Sequence, residues 1–257
     1  RADTLKSLVE NDLWNTRHQF FETMRTDSSA NVREAIGYIP WYFNLPDTTK
    51  KYEVAWKEIM DEKGFSAPYG LTTAERRHPE FRTRGVGKCG WDGAIWPFAS
   101  AQTLTAMANF MNNYPQTVLS DSVYFRQMEL YVESQYHRGR PYIGEYLDEV
   151  TGYWLKGDQE RSRYYNHSTF NDLMITGLVG LRPRLDDTIE VNPLIPTDKW
   201  DWFCLDNVLY HGYNLTILWD KNGDRYHCGK GLRIFVNGKE AGHADTLTRL
   251  VCENALK

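Results

Sequence analysis

Several features that would mark particular protein classes are scarce or missing in this 257-residue sequence. Its four cysteines include no CxxC pair and no histidine at zinc-ligand spacing, so we expect buried single thiols rather than a structural zinc site. A disulfide among Cys204, Cys228 and Cys252 stays open. No stretch of the sequence approaches the about 18 consecutive apolar residues that a membrane-spanning helix needs, so we predict no such helix. Lys+Arg 30 are interleaved with Asp+Glu 34, and this absence of a basic block argues against nucleic-acid binding.

The start of the chain lacks both an initiator methionine and the apolar run of a signal peptide. We therefore expect either a mature product or a fragment of a longer protein. The sequence leaves the cellular location open, with a periplasmic or secreted location favoured over a cytoplasmic one.

The composition that is present, 41% hydrophobic and 25% charged, is that of a globular protein. Apolar residues three or four apart predict helices over residues 5–24, 52–60, 95–111, 121–136 and 168–178. After Arg184, short β-branched and aromatic runs predict strands over 188–191, 202–205, 214–219 and 231–236, with Asn-Gly turns at 222–223 and 237–238. We predict a helical domain over 1–185 and a small antiparallel β domain over 186–257.

Two long connections, 64–93 and 139–166, separate the predicted helices. Connections of this length inside a compact domain are usually functional or disordered, and their aromatic content argues against disorder. We therefore expect the functional site in these two segments.

The second connection contains the most informative stretch, YIGEYLDEVTG at 142–152, followed by RYYNHSTFND at 163–172. A carboxylate beside aromatic rings suits a glycosidase, because the rings stack on the sugar and the carboxylate activates water. The alternative is that Glu145, Asp148 and Glu149 form a solvated loop.

Two aromatic clusters accompany this stretch. Trp91 and Trp96 flank Asp92 and would form a stacking wall with a hydrogen-bond acceptor; alternatively, the tryptophans lie in the core and Asp92 caps a helix. The cluster at 37–46, which contains Trp41 and Tyr42, would line a sugar pocket or pack in the core, and core packing is favoured for most of its members.

These stretches carry a family resemblance. The sequence WDGAIWP at 91–97 resembles the WxGPxWP element of family 63 glycoside hydrolases and mannosylglycerate-hydrolase-like enzymes, and more distantly the WDxPNxWxP element of trehalases. The sequence EYLDEVTG at 145–152 is similar to their ExYxxxTG element, and residues 166–172 stand where they place the next inner helix. NPLIP at 192–196 and WDWF at 200–203 resemble the β domain that follows the barrel in bacterial members of the wider group.

The resemblance implies a partial (α/α) toroid of six helical hairpins, followed by a small antiparallel β sandwich. It also implies that Glu145 is the general base of an inverting hydrolysis and that the general acid lies upstream of Arg1. Asp92 or Glu75 would be an acid within the chain, but the family pattern gives neither residue that role. Inversion needs an acid and a base about 6.5 to 9.5 Å apart. We therefore expect the C-terminal part of a larger bacterial enzyme.

The leading hypothesis is an inverting, exo-acting glycoside hydrolase that cleaves an oligosaccharide or glycoside. The catalytic candidate is Glu145, and the substrate-binding candidates are Trp91, Asp92, Trp96, Tyr146, Trp41, Tyr42, Glu75 and His167. His167 would donate a hydrogen bond to the sugar or satisfy nearby backbone. The alternatives are a carbohydrate-binding module without catalysis and a degenerate barrel with a structural role. No cofactor is expected, and no metal, since the acidic residues Asp148, Glu149 and Asp158 do not have EF-hand spacing.

Overall fold

The structure is a computed structural model that describes residues 1–26, 28–82, 90–165 and 169–256. It divides into two compact units, Arg1–Thr169 and Phe170–Lys257. The boundary between the units comes earlier in the chain than residue 185, where the sequence pattern changes. The helical segment after Thr169 belongs to the second unit because it hydrogen-bonds to later residues of that unit: Leu194 N–H lies 3.2 Å from the carbonyl oxygen of Leu178. The predicted domain boundary at 185/186 stays a prediction.

The first unit combines helices with short hairpins. Its helices are α1 Ala2–Leu8, which continues as a π-helix Val9–Leu13, then 3₁₀ Ala35–Tyr38, α2 Ile39–Tyr42, 3₁₀ Tyr52–Ile59, α3 Pro97–Asn113, α4 Asp121–Ser134 and 3₁₀ Glu160–Ser162. Its strands pair as antiparallel hairpins: β1 Trp14–Asn15 with β2 Phe20–Phe21, β3 Met24–Arg25 with β4 Ser28–Ser29, β5 Ser66–Ala67 with β6 Gly70–Leu71, and β7 Tyr136–His137 with β8 Arg140–Pro141. In the described residues no helix is long and apolar enough to cross a membrane.

The predicted helix over 5–24 is wrong beyond Leu13, where the chain enters the β1–β2 hairpin. The side-chain oxygen of Asn15 accepts hydrogen bonds from the N–H groups of Arg17 and His18, at 3.0 and 3.1 Å. Such a turn offers the backbone an alternative to the helix. It also lets β2 bury both of its phenylalanines, which the apolar period alone did not reveal.

An aromatic core fills the first unit. Trp56 stacks on Phe110 of α3 with ring centroids 5.0 Å apart, and the small residues Ala106 and Ala108 of the same helix are also buried. Pro97 occupies the first helical position of α3, where its missing N–H has no helical partner in any case. The predicted helices over 95–111 and 121–136 are thus present as α3 and α4, whereas the segment predicted over 52–60 is a 3₁₀ helix.

The second unit begins with α5 Phe170–Leu173 and a π-helix Met174–Val179, which ends at Gly180 in the left-handed conformation. Its strands are β9 Leu181–Arg182, β10 Ile189–Val191, β11 Trp202–Tyr210, β12 Tyr213–Asp220, β13 Gly231–Val236, β14 Lys239–Ala244 and β15 Leu250–Cys252. They form antiparallel sheets in the orders β11-β12-β13-β14 and β15-β10-β9. Helices and small antiparallel sheets are therefore both present, while the toroid and the sandwich stay predictions.

One turn of this unit is confirmed, while two other sequence expectations differ from the structure. The turn at Asn237 and Gly238 is the expected tight hairpin, with φ of 48° and 78°. The turn predicted at 222–223 is instead part of a longer loop, because the buried carboxylate of Asp220 accepts N–H hydrogen bonds from residues 223, 225 and 226. The three described cysteines are free thiols, and two of them, Cys204 and Cys228, are exposed rather than buried.

Candidate active site

Short extended segments bring the two sequence motifs together in the first unit. The N–H of Ile95 donates to the carbonyl oxygen of Leu147, and the N–H of Leu147 donates to that of Ile95, both at 3.0 Å. Leu147 also pairs with Trp154. In this antiparallel register Trp96 lies opposite Tyr146, and Glu145 lies opposite Lys156.

Three aromatic side chains stack beside this register. The rings of Trp96 and Tyr146 lie 4.6 Å apart with an interplanar angle of 7°, and those of Trp91 and Trp96 lie 4.8 Å apart at 27°. Trp96 and Tyr146 are buried, whereas Trp91 is 41% exposed. The stack therefore has a fixed inner part and an accessible outer ring, of the kind on which a sugar ring packs.

Lys156 and Ser162 both contact the Glu145 carboxylate. Lys156 Nζ lies 3.3 Å from Glu145 Oε2, and Ser162 Oγ donates a hydrogen bond to the same oxygen at 3.2 Å. The Lys156 side chain is 2% exposed and that of Glu145 is 13% exposed, so the pair is largely shielded from water. The Lys156 ammonium also lies 5.1 Å from the centre of the Tyr146 ring. This arrangement restricts the position of the carboxylate through an ion pair and a hydrogen bond.

Asp148 and Glu149 are linked to Arg82, whose Nη1 lies 2.9 Å from a carboxylate oxygen of each. Burial alone would raise the pKa of Asp148, but hydrogen bonds from Thr151 and Arg82 outweigh burial and lower that pKa below its ordinary value. Both carboxylates therefore join the loop 145–152 to Arg82. Among the residues that the structure describes, no group of three or more His, Cys, Asp or Glu could hold a metal ion.

Trp41, Tyr42 and Glu75 contact other residues of the first unit. Trp41 is 1% exposed in the aromatic core, which favours the packing alternative, and Tyr42 is half-buried with its ring beside Phe43. Glu75 is buried, and both of its oxygens accept hydrogen bonds from Arg33, at 3.0 and 2.6 Å. Their roles in substrate binding stay predictions.

Asp92 precedes the helix that it was expected to cap. Helix α3 begins at Pro97 with Trp96 in the N-cap position, so the capping alternative is wrong. The carbonyl oxygen of Asp92 accepts a hydrogen bond from the N–H of Arg82 at 2.7 Å, which ties Asp92 to the same segment as Asp148. His167 lies outside the described residues.

Sequence reasoning missed Lys156, Ser162 and Arg82. A signal for Lys156 was present, because a hairpin centred on Val150 and Thr151, just before Gly152, places residue 156 opposite residue 145. No comparable local signal marks Arg82, since its contact with Glu149 joins distant parts of the chain.

Two family models match this chain. Residues 1–168 match a family model described as the mannosylglycerate hydrolase MGH1-like glycoside hydrolase domain. Residues 181–243 match the glycosyl hydrolase family 65 C-terminal domain. A solved structure named "Sialidase" is similar to the chain at 98% identity with a TM-score of 0.97, and the match covers 99% of this chain and 24% of that chain. The present chain thus spans about a quarter of the length of that solved chain.

Two structures of the GH63 mannosylglycerate hydrolase from Thermus thermophilus are also similar. The complex with glucose is 16% identical with a TM-score of 0.45, over 58% of this chain and 34% of that chain. The complex with Tris is 15% identical with a TM-score of 0.47, over 66% of this chain and 35% of that chain.

Proposed function

Because the chain belongs to the mannosylglycerate hydrolase MGH1-like glycoside hydrolase family, we propose that its full-length protein cleaves a glycosidic bond in an oligosaccharide with Glu145 as the general base. The observation that carries this proposal is the position of Glu145 next to the stack of Trp91, Trp96 and Tyr146, with its carboxylate held by Lys156 and Ser162. The exposed ring would hold the sugar, and the carboxylate would take a proton from the attacking water.

The geometry around Glu145 suits a base better than an acid. A general base accepts a proton through its carboxylate, and the Lys156 ammonium lies 3.3 Å from Oε2 of the Glu145 carboxylate. The Ser162 hydroxyl restricts the direction in which the carboxylate points. Such positioning by neighbouring side chains is what makes proton transfer efficient.

The second carboxyl group of an inverting pair is proposed to lie in the sequence that precedes Arg1. Within the described residues, Glu75 is engaged by Arg33, and Asp148 and Glu149 are engaged by Arg82. Each of these carboxylates is held by an arginine side chain, so the proposal gives none of them the role of the general acid. The same proposal makes residues 1–185 the C-terminal part of a six-hairpin (α/α) toroid, followed by a β sandwich at 186–257.

The test is Glu145→Gln in the full-length protein, which keeps the side-chain shape and removes the base. Turnover is expected to fall at least about a hundredfold, the lower end of a general base's contribution. Glu133→Gln, at an exposed carboxylate on α4, is the matched control and should leave turnover unchanged. Turnover by Glu145→Gln equal to that of the control would refute the assignment. Inversion and exo-action are tested separately, by NMR of the first anomer released and by the size of the first product.

A non-catalytic carbohydrate-binding role is the second candidate, because the Glu145–Lys156 ion pair is also what a purely structural carboxylate would make. Calorimetry of the full-length protein with oligosaccharides separates the two. Binding without any release of reducing sugar would favour the binding role, whereas release that depends on Glu145 would favour hydrolysis.

A further inference from the structure

A cavity of about 540 Å³ opens between the β7–β8 hairpin and residues 157–164. Arginines line it from both sides, with Arg138 and Arg140 on the hairpin and Arg163 on the facing segment. The hairpin turns tightly at Arg138 and Gly139, both with positive φ, and this turn brings the first two arginines to the same rim. The volume is within the range of small-molecule sites.

The charges in this cavity are only partly neutralised. Arg138 Nη2 lies 2.9 Å from Asp158 Oδ1, so these two charges cancel. Arg140 and Arg163 form no ion pair with a carboxylate of the described residues, and Glu160 is the remaining acidic residue in the wall. Two unpaired cations against one anion leave a positive excess, which favours an anionic ligand.

A histidine in the wall faces the same aspartate. His137 Nε2 is buried and lies 3.6 Å from Asp158 Oδ1, the oxygen that Arg138 also contacts. The Asp158 carboxylate is therefore engaged by two neighbours and does not neutralise Arg140 or Arg163.

The same wall offers aromatic surface and a connection to Glu145. Tyr164 is 69% exposed at the rim, with the Arg163 guanidinium 5.1 Å from its ring centre. Tyr142 OH donates to the carbonyl oxygen of Ser162 at 3.4 Å, and Ser162 Oγ donates to Glu145 at 3.2 Å. One residue, Ser162, therefore joins the cavity wall to the candidate base.

We propose that this cavity binds a carboxylate-bearing sugar, with Arg140 and Arg163 holding the carboxylate and Tyr164 packing on the ring. Planar guanidinium groups suit a carboxylate because they donate two parallel hydrogen bonds to it. The inference rests on the proposed function for one point, that the ligand is a carbohydrate. It assigns the full-length enzyme an acidic sugar unit as part of its substrate.

The test is titration calorimetry of the full-length protein with three probes: sodium glucuronate, glucose and sodium acetate. Glucuronate is expected to bind at least about tenfold more tightly than either of the others, because only it combines the charge with the ring. Binding of a monosaccharide requires no hydrolysis, so the result is independent of whether Glu145 is a base. Equal affinity for glucuronate and glucose, or for glucuronate and acetate, would overturn the proposal.

Substitutions locate the binding. Arg140→Gln and Arg163→Gln should each weaken glucuronate binding about tenfold and leave glucose binding unchanged. Arg17→Gln, at an exposed arginine outside the cavity, is the matched control and should bind glucuronate like the wild type. Thermal unfolding of each variant checks that the fold is intact. Wild-type affinity in the Arg140→Gln/Arg163→Gln double variant would refute the assignment of this cavity.

Discussion

Replacing Lys156 by methionine tests the electrostatic arrangement around Glu145. Methionine keeps the length and packing of the lysine stem and removes the ammonium. At 3.3 Å and an effective dielectric constant of about 20, the lost attraction is about 5 kcal/mol before desolvation is considered. Removing one partner of a buried pair costs about 3–5 kcal/mol. Since the Glu145 side chain keeps 13% exposure, we expect the lower end, about 3 kcal/mol.

Urea unfolding of the full-length protein, followed by tryptophan fluorescence, measures this loss. Lys57→Met is the matched control, because Lys57 is exposed, and its free energy of unfolding should change by less than about 0.5 kcal/mol. The double variant Glu145→Gln/Lys156→Met removes both charges and should recover most of the lost stability. Its turnover should stay as low as that of Glu145→Gln alone. A Lys156→Met variant as stable as the control, or a double variant less stable than Lys156→Met, would refute the reasoning.

Three further predictions concern the surroundings of this pair. Trp96→Ala removes a buried ring and should lower the free energy of unfolding by about 3–5 kcal/mol in urea. Trp91→Ala removes a ring that is 41% exposed and should lower it by less than about 1.5 kcal/mol. The Trp91 variant should also weaken sugar binding in calorimetry. Gly144→Ala would place a Cβ 2.5 Å from ring atoms of two aromatic neighbours, so we expect a loss of about 1–3 kcal/mol, measured in the same way. In the folded protein the pKa of Asp148 lies below its unfolded value of about 3.9. The ionised Asp148 therefore stabilises the fold above about pH 3.9, and this contribution is lost as the pH falls through the folded pKa. Arg82→Gln should raise that pKa and move the acid loss of thermal stability to higher pH, and an unchanged pH profile between pH 6 and pH 3 would contradict this.

The sequence motifs identified the family, and the match over residues 1–168 confirms that resemblance. The sequence also located α3 and α4, since both combine apolar periodicity with clear ends. It failed at residues 14–24, where Asn15 turns the chain and two adjacent phenylalanines enter the core. The spacing of apolar residues alone does not distinguish a helix from a hairpin whose strands are buried on both faces.

For the candidate site, the sequence placed Trp91, Trp96, Glu145 and Tyr146 in one functional group, and their catalytic and binding roles stay predictions. The structure brings these residues together through the Ile95–Leu147 pairing. It also shows that Trp41 is packed in the core. Burial of this kind depends on which parts of the chain fold over a residue, and composition does not record that.

The sequence by itself determined the family, the local motifs and the tight turn at Asn237 and Gly238, because each depends on residues close together along the chain. The tertiary structure alone decided which distant charges meet: Arg82 with Glu149 and Arg33 with Glu75. The energy of such a pair depends on a few ångströms of separation and on exclusion of water. Both quantities are set by the path of the folded chain rather than by the order of its residues.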